Sequence, residues 1–179
     1  NCYPFSFPNK NWLFLLYIRM IQATTKSTIK AYLSTEDNRI NTSVAKTQIR
    51  HLVKFINDMD GSIVYSYPAE VIANRFTEMT FTYEDTNPSE FLGEVNLLPS
   101  GYWKYEVYEV SWIRTVTINS ESAPSTETDV ITPIGDDIGV VQGLVTKGKL
   151  NLSDSKGTAQ VQYTQHPEPS GTNYIYYGQ

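Results

Sequence analysis

The stretch LPSGYWKYEVYEV, residues 98–110, decides how the rest of the chain is read. A Pro-Ser-Gly corner leads into a run in which Trp103, Tyr105 and Val107 alternate with Tyr102, Lys104, Glu106 and Tyr108. Side chains two apart on a strand share a face. The first set is therefore expected to point into a dry interior and the second toward solvent. Burying an aromatic side chain removes roughly 150–250 Å² from water, a large share of a small core. The outward set has two readings: a sticky face, since Tyr offers contact area at low entropy cost, or cross-strand pairs that stabilise the sheet alone.

The same period recurs outward from this run. In STIKAYLST (27–35), Ile29, Ala31 and Leu33 alternate with Thr28, Lys30 and Tyr32. RFTEMTFTYED (75–85) places Thr77, Met79, Phe81 and Tyr83 on one face. SIVYSYP (62–68), GEVNLL (93–98), LVTKGKLNLS (144–153), TAQVQYTQH (158–166) and TNYIYYG (172–178) read as further strands closed by Gly or Pro. The ambiguous stretch is 43–59. Ile49, Leu52, Val53 and Ile56 have helical spacing, but His51, Val53 and Phe55 also share a strand face; strand is the preferred reading, helix the alternative. DMDG (58–61) lacks the later acid of a calcium loop and reads as a hairpin turn.

Short strands at regular spacing, with no βαβ alternation, predict an all-β fold: an immunoglobulin-like antiparallel β-sandwich of about 7–9 strands. With 179 residues and 40% hydrophobic composition, residues 20–179 suffice for a single sandwich domain. The Ser/Thr/Asp-rich stretch 119–139 interrupts the pattern and is expected to project as a long loop. Residues 1–19 differ in character, with an apolar block at 12–18 too short to span a bilayer. They read as a non-native or peripheral extension before a natural start at Met20; an extra β-element or a targeting remnant are the alternatives.

The chemistry of known sites is not visible. The net charge of −5 and the lack of Lys/Arg clusters argue against nucleic acid. No phosphate loop, zinc signature or nucleophile elbow occurs. The one cysteine, Cys2, permits neither an intrachain disulfide nor a Cys-based metal site. His51 and His166 lie far apart. Asp136 and Asp137 read as solvated loop carboxylates. No catalytic residue, cofactor, metal or membrane contact is expected, and the chain is read as a non-enzyme.

The segments LLPSGYWKYEVYE, GLVTKGKLNL and QYTQHPEPSGTNYIYYG together resemble a family of small virion structural proteins of tailed bacteriophages, of the Bacteroidota and marine type. The resemblance covers roughly residues 28–178 and is most specific at 101–109; the long 119–139 insert departs from it. It implies an immunoglobulin-like sandwich that decorates a capsid or serves as an auxiliary head, head-fibre or tail component. It also implies assembly in a bacterial cytoplasm and contact with other virion proteins. Self-association into a homo-oligomer fits the same expectation. The interaction surface would comprise Tyr102, Lys104, Glu106, Tyr108, Tyr174 and Tyr176. The alternative is a carbohydrate-binding or adhesive module that stacks sugars on exposed aromatics such as Tyr174, Tyr176 and Tyr177.

Overall fold

The computed structural model describes residues 20–73, 75–131 and 137–156. Among the described residues nine strands form two sheets: β1 Met20–Thr24, β2 Ile29–Leu33, β3 Ile49–Asn57, β4 Ile63–Ser66, β5 Ala69–Ile72, β6 Thr77–Tyr83, β7 Glu94–Val95, β8 Gly101–Ser111 and β9 Val140–Ser153. The larger sheet has the order β1-β9-β8-β3-β4; the smaller runs β2-β6-β5, with β7 beside β6. Pairing is antiparallel except for β1 with β9 and β6 with β7, which are parallel. The all-β expectation therefore holds, with those two parallel pairs as departures from a purely antiparallel one.

The period-two reading explains the main core. Ile29, Ala31 and Leu33 from β2 and Met79 and Phe81 from β6 meet Val53, Phe55, Trp103, Tyr105, Val107, Leu150 and Leu152 of the larger sheet. Phe55 and Phe81 touch edge to face across the two layers, with centroids 5.1 Å apart and planes at 76°. Aromatic rings prefer this arrangement because a positive edge meets a negative face. Tyr105 crosses the backbone of Gly148; a Cβ there would lie 2.4 Å from its hydroxyl oxygen. That close approach is why the position is glycine.

The ambiguous stretch is strand β3, and its helix-like spacing has a physical cause. Both faces of β3 are covered, so apolar residues need not alternate. Val53 and Phe55 enter the main core, whereas Leu52 enters a second cluster on the outer face, with Tyr67, Val110, Trp112 and Ala123. DMDG does form the β3–β4 turn: the Asn57 amide donates to the Ser62 carbonyl at 2.9 Å, Asp60 Oδ1 accepts from the Ser62 amide at 2.9 Å, and Gly61 takes a φ of +73°.

The expectation for 119–139 requires correction. Its described part does not project. With residues 112–118 it folds back as a flap over the outer face of the larger sheet, at the end of β8 and β3. Ala123 is buried there, with Val116 and Ile118 packed against the same cluster. The Tyr67 hydroxyl donates to the Pro124 carbonyl at 2.7 Å, and the Gly139 amide donates to the Ser122 carbonyl at 2.8 Å. An uncovered Leu52, Val110 and Trp112 would leave a large apolar area wet, and the flap removes it. Strands β1 and β5, short edge strands of five and four residues, are additions to the predicted set. GEVNLL contributes only the two residues of β7. The strands predicted at 158–166 and 172–178, and residues 1–19, lie outside the described residues.

Candidate functional site

The larger sheet's outer face is built in rows, because residues opposite one another on neighbouring strands point the same way. One row crosses all five strands: Ile63, Ile56, Lys104, Lys149, Met20. The row on its flap side holds Tyr65, Lys54, Glu106 and Lys147. On its other side lie Tyr102, Asn151 and Gln22. Beyond Glu106 come Tyr108, Leu52 and Leu144, where the flap begins to cover the sheet. β8, the middle strand of the sheet, contributes to every row, so the opening stretch does run through the middle of this face.

The predicted surface residues divide between the two halves. Tyr102 is 53% exposed, and the Lys104 side chain is exposed while bridging to Asp58 at 3.0 Å. Glu106 is half-buried and accepts a hydrogen bond from the Tyr108 hydroxyl at 2.8 Å. Tyr108 is itself half-buried and packs against the flap cluster. Burial pushes its phenol up, the Glu106 contact adds to this, and Tyr108 stays protonated as a donor. It belongs to the covered half rather than to an open face. Tyr174 and Tyr176, with Tyr177, lie outside the described residues.

Besides the cluster packing and the Tyr67–Pro124 bond, one carboxylate ties the flap to the sheet. Glu127 accepts from Lys54 Nζ and from the Tyr65 hydroxyl, both at 2.5 Å. Burial pushes its carboxyl up, but these hydrogen bonds outweigh that and hold it below the ordinary value. The same contact raises the Lys54 ammonium. A hollow of about 320 Å³ lies where the flap meets the β4 edge, lined among others by Tyr65, Pro88, Glu90, Glu94, Ser125 and Thr126.

Two buried acids hold the frame. Glu109 is 1% exposed. Its carboxylate accepts from the amides of Ile40 and Asn41 at 2.8 and 2.7 Å, fixing the loop between β2 and β3. Glu70, on β5, accepts from the backbone amide of His51 at 2.7 Å and contacts its Nδ1 at 3.0 Å. This joins the two sheets beyond the end of β4, where β3 has lost its neighbour. His51 is thus a buried residue partnered by Glu70. Asp137 accepts from the Thr115 amide at 3.2 Å, a loop contact; Asp136 lies outside the described residues. Among the described residues no cluster of three or more His, Cys, Asp or Glu side chains could hold a metal ion, and no helix is long and apolar enough to cross a membrane.

Sequence reasoning missed the flap and both buried acids. Val110 and Trp112, apolar yet on the same outward parity as Tyr108, were the available signal for the flap. Parity was the available signal for Glu109, which follows Trp103, Tyr105 and Val107 on the inward face of β8; no such local sign marks Glu70. No protein-family model, curated protein or solved structure matches this chain.

Proposed function

We propose that this chain is a structural protein of a phage particle, an immunoglobulin-like domain that works by surface contact through the open rows of its larger sheet. The strand orders support the immunoglobulin-like reading: β2-β6-β5 corresponds to B-E-D of that fold, and β9-β8-β3-β4 to G-F-C-C′. The observation that carries the contact role is the split outer face. One half is covered by the chain's own flap; the other exposes Tyr102, Met20 and Ile63 at 53%, 41% and 49% among lysines. Exposed apolar groups rimmed by polar ones are typical of contact surfaces. The particle assignment rests on the resemblance of residues 101–109 and the segments around them. Contact with other virion proteins, after assembly in the bacterial cytoplasm, follows from that assignment.

Mass spectrometry of purified particles, with the gene's neighbourhood, tests this reading. The protein is expected in the particle at high copy number, encoded beside head and tail genes; its absence from particles ends the assignment. One observation favours the carbohydrate alternative: Tyr102 lies beside Asn151, whose amide donates to Gln22 Oε1 at 3.0 Å, an aromatic face next to polar side chains. A glycan array separates the two readings. Binding abolished by Tyr102→Ala supports the sugar reading, and a blank array removes it.

A further inference from the structure

The flap shows how this sheet face accepts a cover. Lys54 and Tyr65, opposite one another on β3 and β4, together hold both oxygens of the Glu127 carboxylate. The open rows repeat those ingredients. Tyr102 stands two residues from Lys104, Lys149 is directly opposite Lys104, and Lys147 lies two positions along β9. Like charges directly opposite on neighbouring strands destabilise a sheet. Lys104 is engaged by Asp58, but no described residue forms an ion pair with Lys147 or Lys149. Lys147 faces Glu106, whose carboxylate also accepts from Tyr108. A chain of net charge −5 therefore sets Lys104, Lys147 and Lys149 against only Glu106 and Asp58 on this part of the face, a local excess of positive charge. Met20 and Ile63 end the Lys104 row with exposed apolar side chains.

We propose that these rows dock a carboxylate-bearing segment of another protein of the particle, gripped as the flap is gripped: acids to Lys147 and Lys149, apolar residues to Tyr102, Met20 and Ile63. This rests on the surface-contact reading above. A polynucleotide fits less well. Glu106 and Asp58 interrupt the lysines and would repel a continuous line of phosphates, whereas separate carboxylates pass between them.

The test is an NMR titration of the intact chain with poly-L-glutamate as the probe, alongside the double variant Lys147→Glu/Lys149→Glu. Shifts should gather at Tyr102, Lys104, Lys147 and Lys149, and the double variant should bind about tenfold more weakly. An unchanged urea midpoint checks that the variant is folded. Shifts centred on Lys26 and Lys156, or equal binding by the double variant, would overturn the proposal. So would tighter binding of a single-stranded oligonucleotide to the same residues. A dimer in sedimentation that the double variant dissociates would assign the rows to a second copy and overturn the external partner. The two readings fail separately. Absence from particles with the poly-glutamate map intact removes only the virion assignment. Presence in particles, with the double variant incorporated at the wild-type level and no poly-glutamate map, removes only this inference.

Discussion

At the scale of single residues, the buried acids carry more of the structure than the exposed aromatics. Glu109 replaces water for two backbone amides that no strand pairs. Removing the acceptor leaves two part-buried donors without it, at up to about 1–3 kcal/mol for such a group. Glu109→Ala, which also leaves a cavity, should lower unfolding free energy by about 3 kcal/mol in urea titrations. Glu109→Gln keeps the volume and one acceptor and should cost roughly half of that. A variant as stable as the parent would show that these hydrogen bonds contribute nothing net. Gly148 sets the opposite constraint. An added methyl would meet the Tyr105 ring and hydroxyl, so Gly148→Ala should destabilise by about 1–3 kcal/mol, as overpacking does. Combining it with Tyr105→Phe should recover part of the loss in a double-mutant cycle.

At the scale of elements, the flap is the part most open to manipulation. Trp112, 0% exposed, anchors it, and Trp112→Ala should cost about 3–5 kcal/mol. Hydrogen exchange should report that loss first at the Ala123 and Gly139 amides, which bond within the flap, before it reaches the β3–β8 ladder. The Glu127 contact adds a pH dependence with a defined sign. A carboxyl held below its ordinary value stabilises fully above the unfolded-chain value, and that contribution is lost as pH falls through the folded one. Flap resonances should therefore change as the solution is acidified through and below about pH 4. Glu127→Gln should show a loosened flap at neutral pH and no acid transition. A flap indifferent to both would remove Glu127 as its latch.

At the scale of the whole molecule, the larger sheet has two covers, the smaller sheet inside and the flap outside. Coupling between the sheets runs through contacts such as Phe55 with Phe81. A double-mutant cycle with Phe55→Leu and Phe81→Leu should give a coupling of about 0.5–1.5 kcal/mol beyond area loss. A value near zero would mean that the edge-to-face geometry adds nothing to burial. The open rows need no such partner for folding. Lys147→Glu/Lys149→Glu should leave the unfolding free energy from urea titration within about 0.5 kcal/mol of the parent while altering contact with acidic probes.

Alternation alone determined the inner layer. Ile29, Ala31, Leu33, Met79, Phe81, Trp103, Tyr105 and Val107 were legible because a strand with one wet face must place apolar residues two apart. The turn at 58–61 was legible for an equally local reason, Asp and Gly chemistry. What lies on the other face was decided only in three dimensions. The flap's attachment joins Glu127 to Lys54 and Tyr65 and Pro124 to Tyr67, pairs 57–73 residues apart. No sequence period encodes a contact at that separation. Burial on both faces also erased the alternation in β3, making a strand resemble a helix. For the same reason Tyr108, outward by parity, came to rest under cover, and the division of the face into a closed and an open half emerged from packing rather than pattern.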